Sequence, residues 1–337
     1  MVHAEEKVST SPAKPRIRHI DAAKGLSIFL VVYWHSVDNR LVLNEALWML
    51  RMPLFFFVSG LFAQSVLDRE WGQFLIKKVG NIFYVYVLWT FLVFFTTIFI
   101  AQLVKPGPVD LAQPFLLFVE PPRTLWFMYA LGICFVLAKL FAPLPRYPIL
   151  AVAFLLYCVS ISSGDWRIIP FPEKIVRLFP FFLLALTVKA QFLGFVERNF
   201  RWAWIAFPAF IAAALIAFET PASRIGVVTF GVGALGVTGV VATARVLQEN
   251  PIVRIAAAIG QRSLLVYVMH RIALFYIENT MEVLGIGKSA LTMSLVAILA
   301  TCLCLVVGEL LIRRGHEWMF DAPWLDYKDR LGMRLAR

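Results

Sequence analysis

Long apolar blocks, separated by short polar breaks, constrain this chain more than any other feature of its sequence. Of its 337 residues, 60% are hydrophobic and only 16% are charged, whereas soluble domains usually contain about 45–50% apolar residues. The apolar residues lie in runs rather than in strict alternation, which excludes an outer-membrane barrel, and their abundance excludes a disordered chain. The sequence therefore predicts an all-α, polytopic membrane protein.

Ten of these blocks have the length and composition of transmembrane helices. Crossing the hydrocarbon core takes about twenty mostly apolar residues, and only helices satisfy the backbone of such segments in lipid. Turn and charge signals such as Asp68-Arg69-Glu70 separate the blocks. We predict helices over residues 20–38, 48–66, 80–103, 123–141, 147–163, 175–192, 202–218, 225–246, 256–277 and 289–312.

The distribution of positive charge predicts how these helices are oriented. The chain has 32 Lys and Arg against 21 Asp and Glu, and most of the basic residues lie on one side if the N-terminus is cytoplasmic. Cytoplasmic segments of membrane proteins carry such an excess. We therefore expect a flexible basic tail over residues 1–15, a transmembrane domain over residues 16–315 and a basic cytoplasmic tail over residues 316–337.

The net charge of +11 is explained by this bias and by attraction to anionic lipid headgroups of the bilayer. In a soluble protein it would suggest nucleic-acid binding, but no recognition motif accompanies the charge. The sequence therefore predicts the lipid bilayer as a partner and no nucleic acid.

Ionisable side chains inside the predicted helices are the main candidates for function, because each costs roughly 2.5–3.5 kcal/mol at mid-bilayer. Lys24 and His35 are eleven residues apart, a spacing that places both side chains on one helix face, about 16 Å apart along the axis. In the predicted orientation, Lys24 lies near the cytoplasmic end and His35 in the outer half of the bilayer. A snorkelling lysine and a structural histidine are the alternative explanations.

Several other polar residues converge on the predicted depth of His35. Arg51 begins the second helix, Arg123 and Trp126 begin the fourth, and His270 lies fourteen residues into an outward-running ninth helix. Tyr267 precedes His270 by three residues, on the same helix face. A neutral histidine can accept a proton from a hydroxyl or carry an acyl group, and arginine can stabilise a developing oxyanion.

A second group of basic residues lies at the predicted inner end of the bundle. Lys24 is joined there by Arg16, Arg18, Lys77 and Lys78, which are candidates for binding an anionic co-substrate. The positive-inside bias alone explains these residues equally well. No metal site is expected from the sequence.

Four stretches, in order along the chain, resemble the signature elements of the acyltransferase 3 family of bacterial membrane proteins. The first contains a basic-x10-histidine element formed by Lys24 and His35. The stretches are HIDAAKGL at residues 19–26 continuing to WHS at 34–36, RMPLFFFVSG at 51–60, LWFMYAL at 125–131 and GQRSLLVYVMH at 260–270.

The resemblance implies an enzyme of the bacterial inner membrane that moves an acyl group, most often acetyl from acetyl-CoA, to a hydroxyl of an envelope sugar, glycan or small metabolite. It implies that His35 is the catalytic histidine and Lys24 its basic partner. Acyl-path or acceptor-binding roles follow for Arg51, Arg123, Trp126, Tyr267 and His270. No cofactor is expected to be bound permanently, with acyl-CoA as co-substrate. Because a lysine stands where arginine is commoner, a bidentate phosphate contact is not expected.

A secondary transporter or exporter of a sugar or lipid-linked sugar is the alternative from another class, since a polar interior within ten helices suits translocation as well. Many transporters, however, show two related halves with interrupted helices. The sequence shows no such symmetry, and we therefore favour the acyltransferase.

Overall fold

The structure, a computed structural model, describes residues 17–37, 42–99, 102, 112–122, 124–163 and 170–325. Within these ranges it is built from helices and contains no strand, which confirms the predicted all-α class. The helices are α1 (Arg18–Ser36), α2 (Val42–Ala46), α3 (Trp48–Leu61), α4 (Gln64–Leu67), α5 (Trp71–Ile98), α6 (Trp126–Leu140), α7 (Arg146–Ser162), α8 (Pro170–Arg198), α9 (Ala203–Glu219), α10 (Gly226–Val246), α11 (Pro251–Gln261), α12 (Ser263–Val283) and α13 (Ala290–Arg313).

Each predicted apolar block contains a helix, but fewer than ten helices are long and apolar enough to cross a membrane. Among the described residues, five meet this criterion, in α5, α8, α9, α10 and α13, and the pair α11 and α12 would make a sixth. The helices α3, α6 and α7 are apolar but shorter. By length and composition, the described part of the chain thus contains five or six candidate spans, fewer than the predicted ten.

The ninth predicted helix differs most from expectation, because α11 and α12 meet at an angle of 85°. The break lies where α11 crosses α1 at backbone contact distance. A Cβ added to Gly25 would lie 1.8 Å from the Ala256 carbonyl oxygen, and one added to Gly260 would lie 1.8 Å from that of Asp21. The prediction of one straight helix over 256–277 is therefore wrong, and His270 lies only seven residues beyond the start of α12.

The first helix occupies the middle of the bundle and packs against α3, α10, α11, α12 and α13. Helix α3 in turn lies against α8, where a Cβ on Gly60 would be only 2.2 Å from the Phe182 carbonyl oxygen. Further along, α8 is kinked at Val188. Because of this arrangement, side chains from α1, α3, α6, α8 and α12 meet inside the bundle.

Candidate active site

A cavity of about 740 Å³ lies at the end of the bundle where α1 ends. Four of the predicted residues, His35, Arg51, Trp126 and Tyr267, line this His35 cavity. They come from α1, α3, α6 and α12, so four helices bring residues of the predicted group together in one cavity. Arg123, which was predicted to belong to the same group, lies outside the described residues.

His270 lies directly behind His35, with the two ring centroids 5.2 Å apart. Its side chain is fully buried, and its Nδ1 is 2.6 Å from the backbone carbonyl oxygen of Tyr267. Because a carbonyl oxygen only accepts hydrogen bonds, Nδ1 must carry a proton, and Nε2 of the neutral ring is then an acceptor. Nε2 has no hydrogen-bond partner among the described residues.

Arg51 is a buried cation that the protein holds in place from several sides. Its two terminal nitrogens donate to the side-chain and backbone oxygens of Asn44, at 3.0 and 2.7 Å. The guanidinium lies 5.3 Å from the centre of the Trp34 ring, and Trp34 packs edge-on against His35 at 4.8 Å. Positive charge is therefore fixed close to the His35 imidazole.

Three further cations line the His35 cavity, namely Lys174 and Arg177 of α8 and Arg271 of α12. Arg177 donates to the Ser160 hydroxyl and carbonyl oxygens, both at 3.0 Å, and forms an ion pair with Glu173. The Lys174 ammonium lies 4.4 Å from the centre of the Trp126 ring.

Sequence reasoning assigned no site role to Lys174 and Arg177, although a signal was present. Both lie near the start of a helix predicted to enter from the outer side, where the positive-inside bias leaves few basic residues. Their spacing of three also places them on one helix face.

A second cavity, of about 770 Å³, adjoins the first and shares Thr124, Lys174 and Arg271 with it. Its wall includes Thr97 and Phe94, which belong to a π-helical segment, Phe94–Phe99, that begins within α5 and ends one residue beyond it. We call this the Thr97 cavity. Such π-helical turns occur frequently at functional sites.

At the opposite end of the bundle, the structure brings together Lys24, Lys78 and a residue that the sequence had not indicated, Lys189. The ammonium groups of Lys24 and Lys189 lie 5.4 and 5.3 Å from the centre of the Phe62 ring. Lys78 lies within electrostatic range of Lys24 and 4.4 Å from the Phe135 ring centre. Lys77 and Lys78 lie in the other π-helical segment of α5, Leu75–Val79.

Arg18 does not join this group. Its guanidinium lies 3.1 Å from the Glu249 carboxylate, and both side chains are largely exposed. Six residues along an α-helix rotate a side chain by about 240°, so Arg18 and Lys24 point in different directions. Arg16, also predicted at this end, lies outside the described residues.

Lys24 and His35 share one face of α1, but neither the His35 cavity nor the Thr97 cavity is lined by both side chains among the described residues. The His35 cavity includes Val31 and does not extend to Lys24. Ile28, on the same face between Lys24 and Val31, is fully buried in the core. Buried apolar side chains thus separate Lys24 from the His35 cavity at this point.

A family described as an acyltransferase domain matches residues 17–312 of this sequence. The chain therefore belongs to the acyltransferase 3 family of membrane proteins, and this membership supports an acyltransferase activity. It is also similar to the inner membrane protein YcfT of Escherichia coli strain K12, with 28% identity over 214 residues. The aligned region is 53% of this chain and 58% of YcfT, so the chain spans little more than half of that relative. No solved structure matches.

Proposed function

We propose that this protein is an inner-membrane O-acyltransferase, which moves an acyl group, most simply acetyl, from cytoplasmic acyl-CoA to a hydroxyl of an envelope sugar or glycan. The observation that carries the proposal is the contact between His35 and His270 at the edge of the His35 cavity, in a chain of the acyltransferase 3 family. The similarity to YcfT, an inner membrane protein, supports the inner membrane as the location.

The chemistry of the proposed reaction fits the groups around His35. As the acceptor oxygen attacks the thioester carbonyl carbon, His35 accepts the hydroxyl proton, and the developing oxyanion is stabilised by the positive charge of Arg51 and Arg271. The carbon–sulfur bond then breaks, and the departing CoA sulfur takes the proton back from His35. An ester is formed, CoA thiol is released, and the histidine is regenerated.

The lysines at the opposite end of the bundle are suited to bind acyl-CoA, the acyl donor. Lys24, Lys78 and Lys189 surround Phe62 and Phe135, an arrangement that offers ammonium groups to the phosphates of CoA. With this end in the cytoplasm, both termini lie on the same side as the acyl-CoA. The acyl group would then have to pass the apolar barrier around Ile28 to reach His35.

The proposal is tested by adding labelled acetyl-CoA to membranes that contain the protein and measuring label in the envelope glycan. His35→Ala should lower transfer by about 100-fold or more, which is the usual contribution of a general base. A matched control is His316→Ala, because His316 is exposed and lies outside the cavity. Wild-type transfer by His35→Ala at normal expression would contradict the assignment, and sugar flux without acyl-CoA in proteoliposomes would favour a transporter.

A further inference from the structure

Helix α11 runs across one end of the bundle, between the ends of two helices that are long and apolar enough to cross a membrane, α10 and α13. It begins shortly after α10 ends at Val246. Directly after α11, Arg262 donates from Nε to Glu309 at 3.2 Å, in the last turns of α13. Because the ends of spanning helices mark the edge of the hydrocarbon core, α11 lies at the membrane boundary.

The angle between α11 and α12 gives the direction of α11 relative to the membrane. Helix α12 leads from this end of the bundle to His270, which contacts His35 near the other end of α1. It therefore runs along the bundle. Since α11 makes an angle of 85° with α12, α11 lies close to the plane of the membrane.

The sequence gives α11 three different faces. Ile252, Ile255 and Ile259 recur at spacings of three and four and so share one face, on which Ile252 is 75% and Ile255 61% exposed. The face of Gly260 is buried against α1. Arg254 is exposed and points about 130° away from Ile252 and Ile255, at 100° per residue. Helix α11 contains no acidic residue.

Helix α11 is also fixed firmly to α1. Their backbones meet at Gly25 and Gly260 without room for a Cβ on either, and Gln261 donates to the Asp21 carboxylate at 3.4 Å. Helix α1 is not among the helices in the described ranges that are long and apolar enough to cross a membrane by themselves. Its depth in the bilayer therefore depends on the helices packed against it.

We infer that α11 is an interfacial helix that docks on the lipid surface and anchors α1 at that depth. Ile252 and Ile255 insert among the upper acyl chains, and Arg254 binds lipid phosphate. An amphipathic helix in this position buries its apolar face about 5–10 Å into the boundary between headgroups and chains. In the orientation predicted from the basic residues, this is the cytoplasmic leaflet, whose anionic lipids attract arginine.

The first experiment measures the depth of α11 in nanodiscs by spin labelling of the full chain. A nitroxide is attached to Ile252→Cys, Ile255→Cys or Arg254→Cys, in protein whose native cysteines are replaced by alanine. Oxygen collects in the acyl chains, and nickel ethylenediaminediacetate stays in water. We expect both isoleucine positions to be relaxed mainly by oxygen and the arginine position mainly by nickel. Leu299→Cys, exposed in the middle of α13, provides the reference for full insertion.

Two results would overturn the lipid contact. Equal relaxation of the three α11 labels by the nickel complex would place the whole helix in water. Protection of the isoleucine labels from both reagents, with spin–spin broadening between copies, would show that this face packs against a second copy of the chain.

The second experiment tests the phosphate contact of Arg254. Native mass spectrometry measures the affinity of the protein for phosphatidylglycerol added to phosphatidylcholine nanodiscs. Arg254→Gln should lower this affinity about fivefold, as one basic residue at an anionic surface provides, and Arg254→Lys should retain most of it. Arg224→Gln, which removes an exposed charge before the opposite end of α10, is the matched control. Unchanged affinity in Arg254→Gln would contradict the contact.

The third experiment tests whether α11 anchors α1. A nitroxide at Arg18→Cys, the exposed position of α1, reports the depth of that helix. Replacement of Ile252 and Ile255 by serine should make this label more accessible to the nickel complex, whereas Leu295→Ser with Leu299→Ser on α13 should not. An unmoved label in the first pair would contradict the anchor. None of these measurements involves acyl transfer, so they remain decisive if the proposed activity is wrong.

Discussion

His35 and His270 lie with their rings 5.2 Å apart, although one belongs to the first helix and the other to the last third of the chain. The contact of His270 Nδ1 with the Tyr267 carbonyl oxygen leaves Nε2 as an acceptor. An N–H of His35 can donate to this nitrogen, and the other nitrogen of His35 then presents its lone pair to a hydroxyl. We therefore expect His270 to act as a positioning residue for His35.

Replacement of His270 by alanine should lower the kcat of acyl transfer about 10- to 100-fold and leave the KM for acyl-CoA nearly unchanged, because His35 loses the partner that orients it. Steady-state kinetics on purified protein provide the test. His270→Gln, which keeps a side-chain oxygen as acceptor, should recover part of the kcat. Equal losses in the alanine and glutamine variants would show that His270 only fills space.

Asn44→Ala should destabilise the protein by about 1–3 kcal/mol, because a buried guanidinium loses one of its hydrogen-bond acceptors. Thermal unfolding in detergent measures the effect. Asn279→Ala is a suitable comparison, since this asparagine is exposed and bonds only within its own helix. Equal melting temperatures for the two variants would argue against a role for Asn44 in holding Arg51.

Gly25→Ala should prevent normal packing of α11 on α1, because the added Cβ would lie 1.8 Å from the Ala256 carbonyl oxygen. We expect little folded protein in size-exclusion chromatography. Gly231→Ala, also within a helix, meets no atom within 4 Å and should be neutral or stabilising by about 0.5–1 kcal/mol, since alanine is the better helix former. Normal yield of Gly25→Ala would mean that the crossing is looser than described.

Lys24→Ala should raise the KM for acyl-CoA about tenfold with a smaller change in kcat, because one charge-assisted contact with a phosphate is lost. Lys24→Arg should retain most of the affinity. Lys288→Ala, an exposed lysine before α13, controls for the change in net charge. A drop in kcat alone would instead place Lys24 in the chemical step.

The apolar blocks and the eleven-residue spacing were sufficient to predict the helical class and the common face of Lys24 and His35. They were also sufficient to group Arg51, Trp126 and Tyr267 near His35, because alternating helix directions fix the depth of each residue. The structure places these three residues in one cavity with His35.

The bend between α11 and α12 and the position of Arg18 depend on tertiary contacts, which the sequence pattern does not show. The polar run Gly260-Gln261-Arg262-Ser263 marks the break locally, but it does not fix the 85° bend, which accompanies the crossing of Gly25 and Gly260. The exclusion of Arg18 from the group around Lys24 depends on its rotation about α1 and on Glu249, which is 231 positions away in the chain.

The complete burial of Ile28 bears on whether protons can leak through the protein. An uninterrupted file of water between the two charged ends of the bundle would conduct protons and drain the gradient on which a cell depends. Ile28 and the apolar side chains packed around it lie between Lys24 and His35, where such a file would have to pass. A bundle packed in this way can carry polar groups at both of its ends and still keep an apolar, proton-tight layer between them.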